Sequence, residues 1–347
     1  MDFQECFKIA VDRQASDLHL IAGNKPMLRI DGELLAISEE LLEQRFLEES
    51  LVNILEAGRL REFHEARELD FSYEVVGHRF RINLHYQEGT IGLAARLIKG
   101  DAPKPSEVGF TDPIMNLTRL KDGLILVTGP SGAGKSTTLA AMVGVINNMR
   151  SSHIITIEDP IEYVFKDSLS IVEQREVGSD TLSFANALKR VLRQDPNVIM
   201  IGEMRDAETI AAALTAAETG HLVLSTLHTN SAPEAIARII DSFPSFRRQQ
   251  ILSQLSLTLR AVVAQQLLPR KGGGRVAARE IMINNPAVAN LIRENKISQI
   301  VNVIKTSYQE GMIDMNKSIE LLATSGMIDE ETAAHYVRNM ETRGTYY

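Results

Sequence analysis

The stretch LILVTGPSGAGKSTTLAAMVGVINN, residues 124–148, determines how the rest of this sequence is interpreted. It opens with consecutive apolar residues, continues through a glycine-rich turn and a lysine, and ends in a segment with helical periodicity. An unbroken apolar run is typical of a strand that is buried on both faces. Gly129, Gly134, Lys135 and Ser136 match the pattern G-x-x-x-x-G-K-S/T between a strand and a helix, the context in which this pattern binds phosphate.

The chemistry of such a loop follows from its residue types. Glycines let backbone N–H groups face a β-phosphate, and the helix that follows presents its positive end to the same group. Lys135 is placed to reach the β and γ oxygens, and Ser136 to bind Mg²⁺. The sequence predicts that ATP binds to the whole loop: Gly129, Pro130, Ser131, Gly132, Ala133, Gly134, Lys135, Ser136 and Thr137.

Hydrolysis of a bound nucleotide also needs acidic residues, to hold the metal and to activate water. Glu203 follows the apolar run NVIMIG, while Glu158, Asp159 and Glu162 follow the run HIITI. A single acid at the end of a strand is often the N-cap of the next helix. Four acids at two such ends, beside a phosphate loop, favour a catalytic site.

Two histidines flank the strand-like run in HLVLSTLH. His221 and His228 are seven residues apart, at opposite ends of the run, so they do not form a helical metal-ligand pair. One of them is a candidate to sense the γ-phosphate. The alternative is that each is an ordinary hydrogen-bonded histidine.

The order of predicted elements divides the chain in two. Residues 1–100 mix helical patterns with alternating strands, which predicts a small α+β domain. The prolines and glycines around residues 101–113 predict a linker. Beyond it, continuous apolar strands alternate with helices, which predicts an α/β domain with a parallel sheet over 114–347. From Pro233 onward the pattern is almost entirely helical, apart from a hairpin with a glycine turn in RKGGGRVAAREIMI.

Composition excludes several classes of protein. The single cysteine, Cys6, rules out an internal disulfide framework and a four-cysteine zinc site, and it indicates a reducing compartment. No apolar stretch approaches the ~20 residues of a membrane span, and the charged N-terminus is unlike a signal peptide. A net charge of −8 argues against general nucleic-acid binding. The sequence thus predicts a cytoplasmic protein with no integral membrane segment.

Four segments in this order resemble the secretion-type ATPases, and among these the PilT-like motors of type IV pilus retraction. They are GPSGAGKST, TIEDPIEYV, IGEMRDAETIAAALTAAETGH and LSTLHTNSA, and they are followed by GGGRVAAREIMI and NLIRENK. The resemblance implies an N-terminal PAS-like domain and a C-terminal RecA-like P-loop ATPase domain with a helical C-terminal region. It also implies a homo-hexameric, Mg²⁺-dependent ATPase at the inner face of the cytoplasmic membrane, which acts on an inner-membrane platform protein and the pilus machinery in twitching motility.

The resemblance also assigns roles to individual residues. Glu162 matches the catalytic base and Glu203 the Walker B acid, which would share Mg²⁺ with Ser136. Asp159 matches the aspartate box, and His221 and His228 the histidine box. Arginines of the N-terminal domain reach nucleotide across the subunit boundary in this family, so Arg79, Arg81 and Arg96 are the candidates; a solvated strand face is the alternative for Arg79 and Arg81.

One feature departs from the family pattern. Retraction motors carry Ala-Ile-Arg-Asn-Leu-Ile near the C-terminus, whereas this chain has AVANLI at 287–292, with Ala289 in place of the arginine. The lack of a four-cysteine segment and of a long N-terminal extension argues against pilus assembly and type II secretion ATPases. Retraction is therefore the favoured function. Assembly or secretion, a RecA-like nucleic-acid translocase and a non-hydrolysing partner subunit are the alternatives.

Overall fold

The computed structural model describes residues 2–30, 32–98 and 100–343, with side chains up to residue 337. Met1, Asp31, Lys99 at the start of the proline-containing stretch, and the last four residues of the predicted ATPase domain lie outside the described part. The chain forms two compact units. The first comprises Met1–Asp101 and Pro160–Val164, and the second comprises Ala102–Asp159 and Phe165–Tyr347.

The first unit is an antiparallel sheet covered by helices. Its strands are Asp17–Ile21 (β1), Met27–Ile30 (β2), Glu33–Ala36 (β3), Glu68–Val75 (β4), His78–Gln87 (β5) and Thr90–Leu97 (β6), in the order β3-β2-β1-β6-β5-β4. Its helices are Phe3–Asp12 (α1), Gln44–Ile54 (α2) and Ala57–Ala66 (α3). This arrangement confirms the predicted α+β class.

Alternation of side chains explains how this unit buries its core. Phe80, Ile82 and Leu84 of β5 are buried, and they belong to one apolar cluster with residues of the three helices, among them Phe7 and Phe63. The intervening residues of β5 point to the opposite face of the sheet. Cys6 is fully buried in the same cluster, as expected for a packing residue, and burial raises the pKa of its thiol to about 11.

The second unit is built on a seven-stranded sheet. Its strands are Gly123–Thr128 (β7), His153–Glu158 (β8), Ile171–Glu176 (β9), Val198–Ile201 (β10), Leu222–Leu227 (β11), Leu259–Pro269 (β12) and Arg275–Ile283 (β13). The order is β13-β12-β7-β11-β10-β8-β9, and only the β12–β13 pair is antiparallel.

Helices lie along both faces of this sheet. The helices of this unit are Asp112–Leu117 (α4), Lys135–Met149 (α5), Phe184–Val191 (α6), Ala207–Glu218 (α7), Ala232–Asp241 (α8), Arg248–Thr258 (α9), Pro286–Arg293 (α10), Ile300–Thr306 (α11), Met315–Thr324 (α12) and Glu330–Arg343 (α13). Alternate residues of β7 belong to two separate apolar clusters, one for each face. The predicted parallel α/β domain is therefore confirmed. Within the described part of the chain, no helix is long and apolar enough to cross a membrane.

Two regions differ from the sequence interpretation. The predicted hairpin is present, but its first strand, β12, begins at Leu259 and runs for 11 residues, where helix was expected. Its apolar residues pair in parallel with β7, so pairing within the sheet stabilises a strand here despite the helical pattern of the sequence. In the predicted linker, residues 102–113 belong to the second unit and Asp112 starts α4.

Candidate nucleotide site

Several candidate site residues lie where the parallel strands end. Strands β7, β11, β10 and β8 are neighbours that run in the same direction, so their carboxyl ends meet at one edge of the sheet. The glycine-rich loop follows β7, His228 follows β11, Glu203 follows β10 and Asp159 follows β8. Ligands in open α/β sheets bind at this edge.

The loop is a turn that leads directly into a helix. Gly129, Gly132 and Gly134 all have positive φ angles, of 146°, 76° and 82°. Gly134 is the N-cap of α5 and makes no side-chain capping hydrogen bond, so the first amides of the helix are not capped by a side chain. Ser131, Gly132 and Ser136 are exposed. This combination suits a bound anion, because uncapped N–H groups and the helix dipole both attract negative charge.

Lys135 lies inside this turn. It is buried, and its Nζ donates hydrogen bonds to the carbonyl oxygens of Gly129 (2.8 Å) and Pro130 (3.0 Å). The ammonium group is thus held beside the loop where a phosphate would lie. A lysine at this position neutralises the β and γ oxygens of a bound nucleotide.

Two residues that the sequence interpretation did not assign lie beneath the loop. Gln265 of β12 donates from Nε2 to the carbonyl of Ala133 (2.7 Å), and its Oε1 accepts from Thr138 Oγ1 (2.8 Å) and from Nε of Arg279 on β13 (3.3 Å). Both side chains are buried. The sequence signal by which both could be found is a polar residue within an otherwise apolar strand.

Glu203 and His228 meet at the same edge. One carboxylate oxygen of Glu203 lies 3.4 Å from His228 Nε2, and the other pairs with Arg205. Glu203 is mostly buried, whereas His228 and Arg205 are largely exposed. The structure thus brings together the residue predicted as the Walker B acid and one of the two histidines that are candidates to sense the γ-phosphate.

The acids after β8 have separate surroundings. Glu158 is buried and accepts hydrogen bonds from Thr156 Oγ1 (2.7 Å) and Gln174 Nε2 (3.1 Å), which gives it structural partners. Asp159 is exposed at the sheet edge. Glu162 is also exposed, but it belongs to the segment 160–164 that groups with the first unit. Its role as the base stays a prediction.

His221 lies at the other edge of the sheet. It precedes β11, whose first residue, Leu222, pairs with Gly123 at the start of β7. The phosphate loop follows the far end of β7, six residues away, which corresponds to roughly 20 Å. His221 Nδ1 is also within 3.1 Å of Thr219 Oγ1 and 3.0 Å of the Ala216 carbonyl oxygen. The structure therefore does not bring His221 to the nucleotide loop of its own chain.

The candidate arginines of the first unit lie in a cross-strand row. Arg81 of β5 pairs directly with Arg96 of β6, which pairs with Asp17 of β1, and Asp17 pairs with Arg29 of β2. Arg96 Nε donates to Asp17 at 2.8 Å. Burial raises the pKa of Asp17, but hydrogen bonds from Arg96 and Ser16 outweigh it, so the net shift is downward. Arg79 shares the Arg81 face of β5 and is half-buried.

The residues at the loop fit a nucleotide with its metal. A Cβ atom on Gly129 would lie 2.3 Å from the carbonyl oxygen of Gln265, so the loop is shaped around a glycine that lies against β12. Lys135, the helix N-terminus and the exposed hydroxyl of Ser136 supply the donors and the oxygen ligand that a magnesium–nucleotide complex uses. A parallel sheet with this loop after a central strand defines a P-loop NTPase.

Comparisons with known proteins specify this class further. A family profile described as Type II/IV secretion system protein matches residues 108–273. The type IV pilus retraction ATPase PilT of Pseudomonas aeruginosa is 45% identical over 96% of this chain and 97% of that protein. The twitching motility protein of Neisseria gonorrhoeae is 43% identical over 93% of this chain and 87% of its own length. A crystal structure of the pilus retraction motor PilT with bound ADP superposes with a TM-score of 0.89, at 45% identity, and covers 96% of each chain. The chain belongs to the family of PilT-like secretion ATPases.

Proposed function

We propose that this protein is a Mg²⁺-dependent ATPase that drives retraction of a type IV pilus. The observation that carries the proposal is the sheet edge where the phosphate loop, Glu203 and His228 converge, in a chain similar to retraction ATPases over almost its whole length. In this proposal the loop binds the nucleotide, and the acidic residues hold Mg²⁺ and activate water for hydrolysis.

Each residue has a defined role in this proposal. Lys135 and the loop amides hold the phosphates, and Ser136 and Glu203 organise Mg²⁺. Glu162 activates the attacking water. An arginine from a neighbouring subunit of a hexameric ring stabilises the charge that develops on the γ-phosphate, as arginine does in other phosphoryl-transfer enzymes.

The arginine row of the first unit supports a role for Arg81 and Arg96 in trans. Like charges directly opposite each other on a sheet are destabilising. Asp17 neutralises one of the two, while the side chain of Arg81 makes no hydrogen bond or ion pair within the described residues. A phosphate from an adjacent subunit would supply the missing negative charge.

The direct test is a pilus-retraction assay in a cell that lacks only this gene. We expect pili to form but not to retract, and the native gene to restore retraction while a Lys135→Ala copy does not. Loss of the pili themselves would instead indicate an assembly ATPase. An ATPase rate that rises with DNA and falls steeply with salt would indicate a nucleic-acid translocase.

Mixed rings test whether Arg96 acts across the subunit boundary. Arg96→Ala protein and Lys135→Ala protein should each be inactive alone, because each lacks one half of every site. Mixing them should restore part of the ATPase rate, since some boundaries then combine an intact loop with an intact arginine. Co-assembled rings with no recovered turnover would contradict a role in trans. Arg45→Ala, at an exposed position of α2, is the matched control.

The C-terminal helices bury one set of side chains and expose another. Apolar residues recur at three- and four-residue steps in 288–304, which predicts that most of them face the body of the protein. Val288, Ile292, Ile300 and Ile304 are buried, in agreement with this, and Val301 is exposed. Leu291 and Ile297 are partly buried.

The exposed charges of this region should matter for retraction. Arg293 and Lys296 face solvent, and Lys296 pairs with Glu294 at 2.7 Å. Reversing both cations to Glu should leave the ATPase rate within a few-fold, because exposed changes alter stability by only ~0.5 kcal/mol. Retraction should be impaired. Normal retraction at a normal protein level would mean that this surface does not contact the pilus machinery.

A further inference from the structure

The second unit contains a buried cation without an anionic partner. Arg279 is 6% exposed and forms no ion pair with any residue in the described part of the chain. Burial lowers its pKa to about 10, so the guanidinium is still protonated at neutral pH. A buried charge without a counter-ion is unfavourable, so hydrogen bonds to neutral groups must compensate the charge of Arg279.

On one side the guanidinium binds the main chain at the start of this unit. Its two terminal nitrogens donate to the carbonyl oxygens of Val108 (2.7 Å) and Gly109 (2.9 Å), and its Cζ lies 5.7 Å from the centre of the Phe110 ring. In the chain, this segment follows the stretch Met1–Asp101 of the first unit.

On the other side the guanidinium reaches the phosphate loop through one amide. Nε donates to Oε1 of Gln265, the oxygen that also accepts from Thr138 of α5, and Nε2 of Gln265 donates to the Ala133 carbonyl. Two donors on Oε1 fix which end of the amide faces the loop, since an amide oxygen accepts and its nitrogen donates. Arg279 and Thr138 thus together hold the Gln265 amide in the orientation that meets the loop.

We propose that Arg279 is a positioning residue for nucleotide binding, which orients Gln265 under the phosphate loop and ties the loop to residues 108–110. The proposal deepens the ATPase function proposed above and depends on it for its binding readout. Its physical basis is that small displacements of groups that position a ligand have large effects on affinity and rate.

The test compares Arg279→Met, Gln265→Ala and the double variant in the full-length protein. Each single variant should weaken ADP binding by about tenfold, which is the scale for losing a hydrogen bond to a charged group. The double variant should be no weaker than the worse single variant, because both changes interrupt one path. Arg279→Lys, which keeps the charge, should recover part of the affinity, and Arg275→Met at the exposed start of β13 should be unchanged.

Hydrogen exchange of the nucleotide-free protein separates positioning from general stability. Amides of residues 129 and 131–138 should exchange faster in Arg279→Met, while those of the buried strand β10 should not change. Unchanged exchange in the loop, equal acceleration throughout the sheet, or additive losses in the double variant would each overturn the proposal. If Arg279→Met does not accumulate, Gln265→Ala tests the same path. Failure of the wild type to bind ADP would refute the proposed ATPase instead, because the exchange result does not require nucleotide.

Discussion

Glu162→Gln protein is expected to bind ATP as tightly as the wild type and to hydrolyse it ~10²–10⁴ times more slowly, the usual effect of losing a general base. The amide has nearly the shape of the carboxylate, but it does not accept a proton from water at neutral pH. Glu162 is exposed, so the substitution leaves no buried charge unpaired and should not unfold the protein. Single-turnover kinetics and equilibrium ATP binding measure the two effects separately.

Lys135→Ala should fail in a different way. It removes the ammonium group that lies against the Gly129 and Pro130 carbonyls, so both ATP binding and turnover should be lost. Lys121→Ala, at an exposed position before β7, is the matched control and should bind ATP normally.

Normal turnover in Glu162→Gln would exclude Glu162 as the base. Asp159→Asn should then be tested next, because Asp159 is exposed at the sheet edge that carries the phosphate loop.

Gly129→Ala should lose about 10²-fold in ADP affinity and also destabilise the protein. The new Cβ would lie 2.3 Å from the main-chain oxygen of Gln265, and the φ angle of 146° is strained for any residue with a side chain. Neither the carbonyl nor β12, paired on both sides, can move away easily. The loop must shift instead, and a shift of about 1 Å is enough for a loss of this size. Strained backbone positions cost about 1–3 kcal/mol each.

Gly132→Ala is the matched control in the same loop. Gly132 also has a positive φ angle, of 76°, but a Cβ there would meet no atom within 4 Å. Alanine at this position should cost about 1–2 kcal/mol of stability, the usual strain of a left-handed conformation, and little ADP affinity. Thermal unfolding and ADP titration of both variants provide the comparison. Equal affinities for ADP in the two variants would show that the contact with Gln265 does not shape the loop.

The sequence predicts some residues that the structure brings together at the site, and it misplaces others. The phosphate loop could be read directly, because its glycines, lysine and serine are consecutive and stand between a strand and a helix. Glu203 and His228 could be proposed from their positions after apolar runs, and the parallel sheet brings them together. His221 has the same kind of sequence signal, yet it precedes its strand, and the direction of β11 places it at the far edge of the sheet.

The sequence by itself determined the class of each unit and the location of the phosphate loop, because strand alternation, helical periodicity and the loop pattern are local properties. Only the tertiary structure decided which distant residues support that loop. Gln265 and Arg279 follow Ala133 by more than 130 residues and reach the loop because β12 pairs with β7 and β13 pairs with β12. A strand register is set by packing across the whole sheet, so no local pattern specifies these contacts.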